Sequence, residues 1–137
     1  MNRKERRKNK IKSKPVDINN EFIPAYNLHK SGNLDEAEIL YENLLRKYPK
    51  HFDTLRHLGI LNQDRHLLNK ALNFFLRAKN VNPNSHEIYN NLGSIMFQKY
   101  KHEEAKILCE KSLSLKPNYL PALNNLVMLY YRLHYAE

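Results

Sequence analysis

The residues of this chain equipped for proton transfer, nucleophilic attack or metal binding are seven histidines, one cysteine and a few adjoining carboxylates. A zinc site on a helix needs ligands that share a face, or cysteines in close pairs. His29, His51, His57, His66, His86, His102 and His134 include no two that lie four apart, and Cys109 has no second cysteine to join it. The expectation is no metal and no cofactor. A phosphate-cradling loop is not expected either, because the only glycines are Gly32, Gly59 and Gly93. Asp35-Glu36 and Glu103-Glu104 fall at the starts of helical patterns, where carboxylates interact favourably with the helix dipole. That placement accounts for them without acid–base work. What is left is recognition chemistry. Asn90-Asn91 and Asn124-Asn125 carry amides that both donate and accept, so they can pair with the peptide groups of an extended chain. The reading is a binding protein and not an enzyme.

These asparagine pairs recur at 34 residues, and so do the elements that carry them. Pro49, Pro83 and Pro117 keep this interval, as do Ala37, Ala71 and Ala105. Ala25, Gly59, Gly93 and Val127 form another such series, and Leu58, Leu92 and Leu126 a fourth. Within residues 86–117, Tyr89, Leu92, Gly93 and Met96 make one apolar stripe at helical spacing. Ala105, Leu108, Cys109 and Ser112 make a second stripe on a following helix, which Pro117 stops. Small residues at the crossing let two such helices approach closely, and the leucines and aromatics fill the space around it. Forcing Leu in place of Ala105 is expected to cost about 1–3 kcal/mol by overpacking.

A helix–turn–helix unit of this length is the signature of tetratricopeptide repeats. The chain resembles that family from about Asn19 onward, through Leu58-Gly59, Leu92-Gly93, the second-helix alanines and the closing prolines. The large aromatic expected late in the second helix is Tyr41, then Phe75, with Cys109 in its place in the third unit. The resemblance implies an all-α, right-handed α-solenoid of about three and a half stacked units. They are expected at 19–50, 52–84 and 86–117, with a terminal helix at 120–137. In the first unit Pro24 falls where Leu58 and Leu92 sit later, so its first helix is expected to start near Ile23 or to bend there. Asn33 and Ser85 stand where they could cap the helices that follow. The terminal helix is expected to repeat the inner stripe with Leu123, Leu126, Val127 and Tyr130.

Charge is concentrated at one end. Of the net +9, residues 1–14 hold eight Lys or Arg against one Glu, a net +7, which leaves +2 for the other 123 residues. With no apolar period and a Pro15, residues 1–18 read as a disordered basic arm. Arg3, Lys4, Arg6, Arg7, Lys8, Lys10, Lys12 and Lys14 could meet RNA or an anionic surface, releasing counterions. No aromatic in the arm offers base stacking. No run of 18 apolar residues exists, so no transmembrane helix is expected, and one cysteine fits a cytoplasmic protein.

Stacked first helices would line a concave groove. Its residues are predicted to be Asp53, Arg56, Ile60 and Gln63 in the second unit and Glu87, Asn90, Asn91, Ser94, Phe97 and Gln98 in the third. The fourth offers Asn124, Asn125, Met128, Tyr131 and Arg132. With YNNLG and LSLKPNY, the third unit is similar to the arrays of O-linked N-acetylglucosamine transferases, whose asparagine ladder it would share; the second unit has Arg56-His57 at the matching place. Other members of the family clamp the terminal carboxylate of heat-shock chaperones, but this chain offers Phe22 and Tyr26 there. The basic start and SGNLDEAEILYENLLRKYP resemble the N-terminal part of bacterial repeat proteins that continue into a glycosyltransferase, sulfotransferase or methyltransferase. The expected function is a non-catalytic module holding an extended peptide or partner protein in the groove. A substrate-recruiting remnant of a transferase and a basic-arm binder of RNA or an anionic surface are the alternatives. No second helix follows to cover Val127, Tyr130 and Leu133, so self-association through them is expected.

Overall fold

The computed structural model describes residues 17–135, and the basic arm residues Arg3 to Lys14 lie outside them. Seven α-helices and no strand occur among the described residues: α1 (Ile18–Lys30), α2 (Leu34–Lys47), α3 (Phe52–Asp64), α4 (Leu68–Val81), α5 (His86–Gln98), α6 (His102–Leu115) and α7 (Leu120–Tyr135). They form an all-α solenoid of helical hairpins. Consecutive helices pack on one another along the chain, and α1, α3, α5 and α7 also touch each other in sequence. The backbones of the outer helices α2, α4 and α6 do not approach one another as closely. The stack is therefore tighter on the side of the odd-numbered helices, which places them on the concave wall. None of the helices is long and apolar enough to cross a membrane, among the described residues.

Packing follows the small residues. A Cβ on Gly59 would stand 2.5 Å from the Phe75 ring, and one on Gly93 would stand 2.8 Å from Cys109 Sγ. Phe75, Cys109, Ala71 and Ala105 are fully buried. The cores straddle unit boundaries. Leu58 and Leu61 of α3 pack with Ala25, Ala37 and Tyr41 of the first hairpin. Ile88, Leu92 and Ile95 of α5 pack with Ala71, Phe75 and Ala78 of the second. No hairpin completes its own apolar interior, so stability is shared between neighbours.

Three expectations need correction. Helix α1 starts at Ile18, not Ile23, because Asp17 caps it by accepting from the Asn19 N–H at 3.0 Å. Pro24 lies inside this helix. Its ring deprives only the carbonyl of Asn20, an exposed residue that water can serve. Asn33 and Ser85 occupy cap positions without making side-chain cap bonds. Asn33 instead donates its amide to Ser31 Oγ at 3.3 Å. In α7 the buried residues are Ala122 and Leu129, while Val127 and Tyr130 are 70% and 59% exposed. Each of α3, α5 and α7 has two packing faces. One meets the preceding hairpin, at Thr54, Ile88 and Ala122 and at Leu61, Ile95 and Leu129, all buried. The other meets the helix that follows, and no described helix follows α7.

The turns after the odd-numbered helices share one design. Asn33, Leu67 and Lys101 donate their N–H groups back to Leu28, Asn62 and Met96, each at 2.9 Å. This six-residue closure requires a left-handed residue just before it. Gly32 supplies one at φ 84°, but the later turns use His66 and Tyr100, both at φ 60°. A side chain in that region costs roughly 1–2 kcal/mol, which glycine avoids.

Candidate binding groove

The concave wall is knitted together before any partner arrives. Bonds between successive inner helices run at 35 residues, one more than the sequence period, or at 31, one helical turn less. Arg56 Nη1 donates to Asn91 Oδ1 at 3.3 Å, Asn125 Nδ2 to Asn90 Oδ1 at 2.8 Å, and Gln63 Nε2 to Gln98 Oε1 at 2.7 Å. The histidine–carboxylate contact of His29 Nε2 with Asp64 Oδ2, 2.8 Å, has the same spacing. Gln63 Nε2 also reaches Ser94 Oγ at 2.9 Å. Arg56 and Gln63 thus each face two positions of the following unit that lie one helical turn apart.

These contacts sort the predicted groove residues. Asn90 is buried at 8% exposure and paired with Asn125, so both amides are partly spent on the wall. Arg56 is tied to Glu87 Oε2 at 2.7 Å as well as to Asn91, and its buried Nε has no partner. Gln63, Ser94 and Phe97 are half-buried. Asn124 is exposed with no hydrogen bond to a described residue, and Met128 and Tyr131 are 54% and 63% exposed. The wall is closed and polar in its middle and more open toward α7.

Toward α1 the wall becomes aromatic. The Phe22 ring lies 5.9 Å from Tyr41 and 5.2 Å from His57, and Tyr26 lies 5.3 Å from His57. Burial, with Arg56 and then His29 beside it, pushes the His57 imidazole down to about 3. Burial also raises the Tyr41 hydroxyl above its ordinary value. Its O–H lies 3.4 Å from His29 Nδ1. Cys109, pushed up to about 11 by burial and then by Glu110, stays a thiol packed on Gly93. The sequence did carry a signal for His57, since it holds the ladder register of Asn91 and Asn125 one and two periods earlier. Among the described residues no group of three or more His, Cys, Asp or Glu could hold a metal ion.

Helical hairpins of 34 residues, nested through small residues and lined by their first helices, define a repeat solenoid with an inner groove. Residues 86–119 match the tetratricopeptide repeat family, and the other hairpins share the helix–turn–helix layout of that unit. A curated relative, the peroxisomal targeting signal receptor of Kluyveromyces lactis, is 30% identical over 113 residues, covering 74% of this chain and 20% of that one. This chain therefore spans about a fifth of the receptor's length. An O-GlcNAc transferase mutant of Thermobaculum terrenum superposes with a TM-score of 0.79 at 22% identity, over 83% of this chain and 22% of that one. The first repeat domain of Spaghetti (RPAP3), solved with the HSP90 peptide SRMEEVD, has a TM-score of 0.79 at 23% identity, over 90% of this chain and 98% of that one.

Proposed function

We propose that this chain is a non-catalytic interaction module whose concave wall holds an extended peptide segment of a partner protein. The observation that carries the reading is the uneven wall: bonded shut at Arg56, Asn90 and Gln63, open at Asn124, Met128 and Tyr131. Asn91 has spent its carbonyl on Arg56 and keeps its amide N–H groups for a ligand. The solved neighbour with a bound peptide supports a peptide as the occupant. The test uses a peptide selected against the full chain from a random display library. Asn91→Ala with Asn124→Ala removes two amides worth about 0.5–1.5 kcal/mol each and is expected to weaken binding about tenfold, with the melting temperature unchanged. Equal affinity for both proteins would remove the groove from the account.

We propose further that α7 pairs with the same helix of a second copy. Its outer face and α6 frame an apolar recess of 370 Å³ lined by Leu123, Leu126, Val127, Tyr130 and Leu133 among others. A twofold arrangement would cover both copies of this face at once. Light scattering at high concentration is expected to give a dimer mass, and Val127→Glu a monomer mass. A monomer for the unmutated chain ends this part of the reading.

A further inference from the structure

The turns after α3 and α5 and the end of α7 border an open recess of 290 Å³ that shares Phe97, Gln98 and Arg132 with the predicted groove. Three independent observations meet there. The first is backbone strain without reward. Tyr100 and His66 both line the recess in the left-handed conformation, where the equivalent turn uses Gly32. The Tyr100 ring is 81% exposed, so burial does not offset the strain. Strain held at an uncompensated position marks a site where the side chain is wanted for something else.

The second observation concerns charge. Arg56 is bound to Glu87 and Asn91, and Arg65 to Glu38 and Asp35. Arg132, which lines the recess, makes no ion pair and no hydrogen bond with any described residue. A guanidinium in that condition is a fork-shaped receptor for a carboxylate. The third is the character of the walls. The Phe97 ring lies 5.4 Å from His102, Tyr100 lies 6.2 Å from it, and Leu68 closes the side formed by the second hairpin. Aromatic faces next to a cation that no described residue pairs suit a ligand with the same two features side by side.

We infer that this recess is the specificity pocket of the groove. It takes an acidic side chain of an extended peptide at Arg132 and seats an adjoining aromatic side chain against Phe97 and Tyr100. This rests on the peptide-groove reading but can fail separately from it. The probes are three short peptides, acetylated and amidated so that no terminal carboxylate remains, containing Glu-Phe, Gln-Phe or Glu-Ala. Each is titrated into the isotope-labelled full chain and followed by amide chemical shifts.

Glu-Phe is expected to shift Tyr100, His102 and Arg132 and to bind at least about fivefold more tightly than the other two, a difference of about 1 kcal/mol. Arg132→Gln removes the preference for Glu over Gln. Tyr100→Gly relieves the strained turn and melts about 4 °C higher, yet it binds Glu-Phe at least about fivefold more weakly. A residue with a purely structural role would raise the melting temperature and leave affinity alone, which would overturn the inference. Equal affinity for Glu-Phe and Gln-Phe overturns it, as does the absence of any shift at millimolar peptide. Shifts confined to Asn91, Asn124 and Met128 overturn the pocket while leaving the groove intact.

Discussion

Gly59→Ala destabilises the array by about 1–3 kcal/mol, and most of that loss disappears when Phe75 is shortened to leucine in the same chain. The added methyl would stand 2.5 Å from Phe75 Cε1, well inside van der Waals contact. The ring cannot swing away, because Phe75 is fully buried among Leu55, Ile88 and Leu92. Alone, Phe75→Leu loses ring contacts and leaves a void. Together the two changes exchange volume across one crossing, so their effects are strongly non-additive. Urea unfolding of the four proteins reads this directly, through the midpoint at constant slope. Additive losses would mean that Gly59 is needed for some reason other than the approach of α3 to α4.

Acid weakens this fold between pH 6.5 and pH 5 through His57. In the unfolded chain this histidine titrates near 6.5, and in the folded chain near 3. Between these values the unfolded state binds a proton that the folded state refuses, so stability rises with pH and falls as pH is lowered. The loss from pH 7 to pH 5 is about 2 kcal/mol if His57 acts alone. Burial sets the direction, with Phe22, Tyr26 and Tyr41 excluding water, and Arg56 on its own helix and then His29 from α1 add to it. His57→Asn, which places at this register the residue found at positions 91 and 125, is expected to flatten the profile in this window. An unchanged slope would assign the acid sensitivity to other groups.

The period and the crossings were legible because each rests on local rules. Pro83, Ala71 and Gly59 announce a stop, a small contact and a close approach from their types and spacing alone. The limits are as specific. A start of α1 near Ile23 does not hold because Asp17, seven residues before the visible breaker Pro24, caps the helix with a bond that only the structure shows. Ile88 and Ile95 were absent from the α5 stripe because that stripe describes one packing face, and an inner helix has two. The engagement of Asn90 with Asn125 depends on the rotation between hairpins, which sets the contact spacings of the wall at 35 and 31 instead of 34. No one-dimensional pattern states that rotation. His57 looked like an interruption of a ladder until the first hairpin closed over it.

The wider spacing of the α2, α4 and α6 backbones has a mechanical meaning. A stack joined along one side behaves as a fan, with its ribs pinned at the inner edge and free to spread at the outer. Small rotations at each hairpin boundary add along the chain, so its bore can widen or narrow while the inner helices stay in contact. A segment laid across α3, α5 and α7 would brace the ribs at their pinned edge and stiffen the whole fan from within.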